Sequence, residues 1–422
     1  MFVTHNASIH SSIRIPRDWG VWAVIGLTGL ALFALPFSNS VFAPGALLAL
    51  VGIGILIRHF RAIWAEPWMR WMLVLMAALW LPQVLALTGA INFERALRTA
   101  STYPLYALSM VPLLWLVRQR DIVTPLLYLT LALAVIWSLD GLLQFVTGSN
   151  ILGYPYNGRR VAGLFYPDLS LGIVLAHLLP LVLEASRRLA EKNRLSALLP
   201  ILVIGVIILS GSRSAILMML ISISIYASFL VWFYRPRILT VVTVLAAVAT
   251  GLAATLWVSP EARDRVTVVS RIAELNLEGV DAATSKRGTI WVAAWQVAAD
   301  EPVLGVGVRG VEPAAHARGY TDMRFAHVHL YGLDVLAATG WVGLVSYLLG
   351  FAAILWVLIR SAFRHKPLSP LFAMAALGVI AAFNPLNAHW TIYSSYAASI
   401  GWITVGIGLA ALVSRKPPSA KT

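Results

Sequence analysis

FAHVHLYGLDVLAATGWVGL, residues 325–344, sets two histidines at the head of a long apolar run and strings glycines along it. From His329 the run continues to about residue 359 with Asp334 as its one charged side chain. About 20 apolar residues are enough to cross hydrocarbon as a helix, so the stretch reads as the outer end of a membrane helix. His329 then stands at the helix mouth, where an ionisable group is costly and marks a site.

The rest of the chain has the same character. Of its 422 residues 59% are hydrophobic and 12% charged, and 16 are tryptophan, a composition that makes it an all-α polytopic membrane protein. Counting apolar runs predicts twelve transmembrane helices, near 19–38, 41–58, 69–89, 103–117, 122–146, 163–185, 195–210, 213–233, 237–258, 329–359, 369–388 and 391–413. The first run lacks a small-residue cleavage site behind it and reads as a retained helix. Three divisions follow: 1–258 with helices one to nine, 259–328 as a large outer loop, and 329–422 with helices ten to twelve and a cytoplasmic tail.

Charge sets the orientation. With the N-terminus in the cytoplasm, the inner loops and termini carry the whole formal net charge of +14, as the positive-inside rule requires. These cations are spread over short loops, which suits anchoring to anionic membrane lipids and argues against nucleic acid. The chain has no cysteine, which removes thiol nucleophiles and cysteine metal sites. The 259–328 segment is far longer than a connection between helices needs to be. Within it VTVVSRIAEL (266–275) and TIWVAAWQVAAD (289–300) have helical spacing, the second with Trp291 and Trp295 on one flank as at a membrane interface. EPVLGVGVRG follows with a helix-stopping proline and turn-forming glycines.

The informative charges are the few outer ones. Arg159 and Arg160 end the loop NILGYPYNGRRVAGLF, Arg213 occupies SGSRSA between two apolar runs, and Arg287 opens the interfacial helix in SKRGTIW. The topology brings all of them to the outer membrane surface with His329. Guanidinium groups converging in a half-buried place repel unless an anion joins them, and their planar fork suits phosphate oxygens. Each residue alone has a plainer reading. Arg159 and Arg160 serve as solvated loop charges, Arg213 as a cap on helix-end carbonyls, and Arg287 as a partner of Asp281 or Asp300. His327, His177 and His389 read as neighbours or packing residues, and Asp140, Asp168 and Asp334 as neutralising partners. The combination points to a phosphate site.

Taken in order, RVAGLFYPD, LSGSRSA, SKRGTIWVAAWQVAADEPVLGVG and HLYGLDVLAATGWVGL resemble the O-antigen ligase and polymerase superfamily of bacterial envelope enzymes. By position, the family's residues fall on Arg160 with Gly163 and Phe165, on Arg213, on Arg287 with Trp291, on Gly305 with Gly307, and on His329 with Gly340 and Gly343. The family's histidine is commonly followed by Asn or Ser and then an aromatic, whereas Leu330 and Tyr331 follow here. His327 therefore offers a second register, and the distance to Gly340 favours His329. At 100° per residue His329, Gly332, Leu336, Gly340 and Gly343 fall on one helix face.

The resemblance implies a GT-C-type glycosyltransferase at the periplasmic face of the bacterial inner membrane. Its donor would be an O-antigen glycan on undecaprenyl diphosphate, and its acceptor the lipid A-core oligosaccharide. Arg160, Arg213 and Arg287 would hold the diphosphate and His329 would act as base, with Arg159, His327, Asp168 and Trp291 in secondary places. No cofactor or metal is implied, because arginines replace the cation that usually accompanies a diphosphate. A polymerase of the repeat unit or a protein O-oligosaccharyltransferase of the same superfamily are the alternatives. A lipid-linked glycan flippase is the alternative from another class, although it would spread polar residues through the membrane core.

Overall fold

The computed structural model describes residues 17–37, 42–234, 277–284, 287–320, 327–364 and 369–413. The expected ninth helix (237–258) and the helix at 266–275 lie outside these residues. Among the described residues the fold is all-helical with no strand. Of the described helices six are long and apolar enough to cross a membrane, and three apolar ones are shorter.

The helices are α1 (Arg17–Phe33), α2 (Phe42–Ala65), α3 (Pro67–Leu85), α4 (Phe93–Leu108), α5 (Val111–Leu116), α6 (Val123–Thr147), α7 (Leu171–Ala190), α8 (Leu199–Leu209) and α9 (Arg213–Tyr234). The short helices α10 (Leu277–Thr284), α11 (Arg287–Asp300) and α12 (Val311–Ala317) follow, and then α13 (Tyr331–Arg364), α14 (Pro370–Phe383) and α15 (Ser395–Val413). α15 is apolar on all sides and buried on nearly all of them, so it is the central helix, with α14 and α7 against it. α1 and α2 lie at the edge and leave Trp22, Leu47, Leu50 and Ile57 exposed, as lipid-facing helices do.

Two expectations about single helices are corrected. The run 103–117 is two helices, α4 and α5, separated at Ser109 and Met110. The single face drawn through His329, Gly332, Leu336, Gly340 and Gly343 does not exist, because the helix begins at Tyr331 and Gly340, at φ 65° and ψ −169°, interrupts it. That conformation is open to glycine alone. A Cβ there would stand 2.1 Å from the Val303 carbonyl oxygen.

The interruption is the seat of the EPVLGVG turn. The backbone N–H groups of Val306 and Gly307 donate to the carbonyls of Ala337 and Ala338 at 3.1 and 3.0 Å. Those of Trp341 and Val342 donate to Pro302 and Val303 at 2.7 and 3.3 Å. Backbone groups freed by the break are thereby satisfied, as a membrane interior demands. Below the break α13 packs on α3, where Gly350 admits Ala78 and the Ser346 hydroxyl donates to the Ala78 carbonyl at 2.9 Å. The turn and the helix thus fix the segment that carries the turn to the helical bundle, within the same chain stretch that leads to the histidines.

Candidate active site

Each of the arginines singled out in the sequence sits on its own local device. The Arg159–Arg160 loop is clamped by Gln144 of α6, whose Oε1 accepts the N–H groups of Ala162 and Gly163 at 2.9 and 2.8 Å. Asn157 Oδ1 accepts the N–H groups of both arginines. Gly163, at φ 52°, turns the chain so that Phe165 packs edge-on against Trp137 at 5.3 Å. Arg160 is half-buried and Arg159 exposed. Arg213 is the first residue of α9, after a tight turn in which Gly211 takes φ 63°.

Arg287 is the first residue of α11, whose start is capped by Asp281. The Asp281 carboxylate accepts the N–H of Thr289 at 2.9 Å and also its hydroxyl. Neither carboxylate proposed as its partner pairs with Arg287, since Asp300 binds Arg318 at 2.6 Å. Its guanidinium donates to the Ala388 carbonyl.

These devices converge. Arg160, Arg213, Arg287, Trp291, His327, His329 and Asp168 all line one cavity of about 790 Å³, and Arg159 does not. Beneath the arginines the cavity wall turns apolar, with Ile173 from α7, Leu217, Met218 and Ile221 from α9, and Ile380 from α14. Burial and the charges of Arg160 and Arg213 lower the Arg287 pKa from its ordinary value, which reports three cations drawn together.

The histidines sit in the short connection before α13. Trp291 anchors them, donating from Nε1 to the Val328 carbonyl at 3.2 Å between the two rings, which stand 4.1 Å apart. His329 has φ 57°, a left-handed conformation that a side chain tolerates only when its surroundings impose it. The imposing element is the loop between α14 and α15, which the sequence did not single out. Its carbonyls face the start of α13 in series: Pro385 accepts Gly332 N–H at 2.8 Å and Asn387 accepts Tyr331 N–H at 3.0 Å. Ala388 takes Arg287 and His389 takes His329 Nδ1.

Burial, then His329, lowers the His327 pKa to about 3, with Arg309 and Arg287 adding to the shift. His329 is lowered by burial and by Arg287, and the bond to the His389 carbonyl partly restores it. The His389 carbonyl partly offsets the shift of His327 as well, and both rings are neutral near pH 7.

The other acidic groups are spoken for elsewhere. Asp140 accepts the N–H of Ile151 at 3.0 Å, and Asp334 is fully buried and binds the Thr391 hydroxyl. Arg309 was not singled out from sequence; its left-handed backbone, at φ 69°, sets its charge near Tyr106, His327 and Asp334. Its position directly behind the GVG turn was the available signal.

No curated protein matches the chain. Residues 198–348, which hold Arg213, Arg287, the Gly305–Gly307 turn, both cavity histidines and Gly340, match the O-antigen ligase family. This multi-pass membrane protein therefore carries a domain of the O-antigen ligase and polymerase superfamily.

Proposed function

We propose that the chain is an O-antigen ligase. In this reading it moves a glycan from undecaprenyl diphosphate to the lipid A-core oligosaccharide at the periplasmic face of the inner membrane. It would have twelve spans and a GT-C-type arrangement. The observation that carries the reading is the single cavity lined by three arginines, a neutral histidine and a set of apolar side chains. A polyprenyl diphosphate has that polarity. Its isoprenoid chain suits the groove along Leu217, Met218 and Ile221, and its phosphates suit Arg160, Arg213 and Arg287.

The chemistry follows from the arrangement. The acceptor hydroxyl oxygen attacks the anomeric carbon, and the bond from that carbon to the phosphate oxygen breaks, its electron pair leaving with the lipid diphosphate. Negative charge grows on the leaving phosphate, where preset guanidinium groups stabilise the transition state more than the ground state, an effect worth several kcal/mol. His329 takes the hydroxyl proton on Nε2, a contribution of about 10²- to 10⁴-fold. His329 is preferred to His327 because a base held to a pKa of about 3 has little driving force at neutral pH. The arginines supply the charge that a divalent cation otherwise brings, so transfer is expected to persist in excess chelator.

The product identifies the reaction. In a strain lacking the chain, lipid A-core without long chains, together with polymerised glycan held on its carrier, supports the ligase. Lipid A-core capped with single repeat units marks a polymerase instead.

A further inference from the structure

Three hydrogen bonds fix the protonation pattern of three histidines. A carbonyl oxygen only accepts, so the bond between His329 and the His389 carbonyl places the His329 proton on Nδ1 and leaves Nε2 as the basic nitrogen. The main-chain N–H of Trp390 donates to His389 Nδ1 at 2.8 Å, which places the His389 proton on Nε2. The Tyr331 hydroxyl, 3.5 Å from that same Nδ1, approaches it from the donor side as well. His177, inside α7, donates from Nδ1 to the Ile173 carbonyl at 2.9 Å, so its Nε2 is an acceptor.

The His177 and His389 rings are in contact, near edge-to-face with centroids 5.0 Å apart. Both residues are buried, at 0% and 3% exposure, and neither Nε2 has a hydrogen-bond partner among the described residues. Buried polar atoms in native proteins are paired as a rule. Here a donor nitrogen on one ring and an acceptor nitrogen on the other are left over together.

We propose that His177 and His389 are positioning residues for His329. The Nε2–H of His389 is linked to Nε2 of His177 through one water, and this link ties the loop between α14 and α15 to α7. The His389 carbonyl then sets the tautomer and ring angle of His329. The inference rests on the reading of His329 as the base. The charged and titratable groups around that base are Arg287 on α11, His327 on its own connection and His389 on the loop. Arg160, Arg213 and Asp168 line the same cavity. A bond from Nδ1–H to a carbonyl favours the imidazolium, so loosening it lowers the His329 pKa further.

The test uses the full chain in proteoliposomes, with a polyprenyl-diphosphate glycan as donor and rates normalised to inserted protein. His177→Phe keeps the ring, including its stack on Trp390 at 6.0 Å, and removes both nitrogens. His177→Gln returns an acceptor near the place of Nε2. The expected result for His177→Phe is a kcat lower by about 10- to 100-fold, with the donor KM unchanged. The acid limb of its pH profile moves to lower pH, and His177→Gln restores most of the rate. Full activity in His177→Phe overturns the proposal. So does a loss that His177→Gln does not repair, or one in which KM rises and the acid limb stays in place. Full activity in His329→Ala would instead remove the base on which the inference rests, which keeps the two failures apart.

Discussion

Replacing Arg287 with lysine keeps a charge at the centre of the cavity and removes a geometry. The guanidinium spends one of its terminal nitrogens on the Ala388 carbonyl and has donors left for an anion in the cavity. A lysine has a single nitrogen on a flexible stem and cannot hold the carbonyl and fork two phosphate oxygens at once. One charge-assisted hydrogen bond is then lost from the transition state, about 1.5–3 kcal/mol, or roughly a 10- to 150-fold fall in kcat/KM at about 1.4 kcal/mol per tenfold. The pH dependence separates charge from geometry. His329 must be neutral to accept a proton, so the rate rises with pH through its pKa, which lies below the ordinary 6.5. Arg287 is one cause of that depression. Arg287→Ala therefore moves the acid limb to higher pH, while Arg287→Lys leaves it in place. The assay is transfer of glycan from carrier to acceptor in proteoliposomes across pH 4 to 8. A lysine variant with at least half the wild-type kcat/KM, or an alanine variant whose limb stays still, would refute the reasoning.

Other substitutions reach different parts of the account. Trp291→Phe keeps the ring and deletes the bond to the Val328 carbonyl, a loss of about 0.5–1.5 kcal/mol that should lower kcat by roughly 2- to 10-fold and leave insertion intact. Gly340→Ala puts a Cβ into the Val303 carbonyl at a conformation alanine avoids. It should cost several kcal/mol, read as a loss of folded protein and a lower Tm in detergent, and an unchanged Tm would contradict the helix break. The chain lacks cysteine, so single cysteines report topology cleanly. Leu152→Cys, 56% exposed in the arginine loop, should label from outside intact cells, and Leu195→Cys, 71% exposed at the other end of α7, only after permeabilisation. The reverse pattern would invert the orientation.

What could be read from the sequence and what could not divide along a physical line. Arg160, Arg213, Arg287 and His329 stand out in a chain that is only 12% charged, because a charge at a helix end in lipid has few bland explanations. Gly340 and the GVG turn are visible as glycines, but their relation is a backbone hydrogen-bond exchange between segments far apart in the chain, and no periodicity encodes it. The helical wheel drawn through His329 and Gly340 failed for that reason, since a regular helix was assumed where both residues take positive φ. The loop between α14 and α15 was invisible because it acts through main-chain carbonyls, which every residue has. His389 read as a packing residue at a helix end, and its carbonyl meets a histidine 60 residues away. Likewise Asp281 was available as a partner for Arg287, and the structure uses it to cap the same helix instead.

The measurement closest to the centre of the account follows carrier binding and glycan transfer separately in the His329→Ala protein. If the arginines hold the diphosphate and the histidine only moves a proton, His329→Ala binds polyprenyl-diphosphate glycan with wild-type affinity and transfers it at least 100-fold more slowly, as expected for loss of a general base worth about 10²- to 10⁴-fold. The Arg160, Arg213 and Arg287 alanine variants lose binding as well. Wild-type transfer by the His329→Ala protein, or loss of carrier binding in that protein alone, contradicts the account.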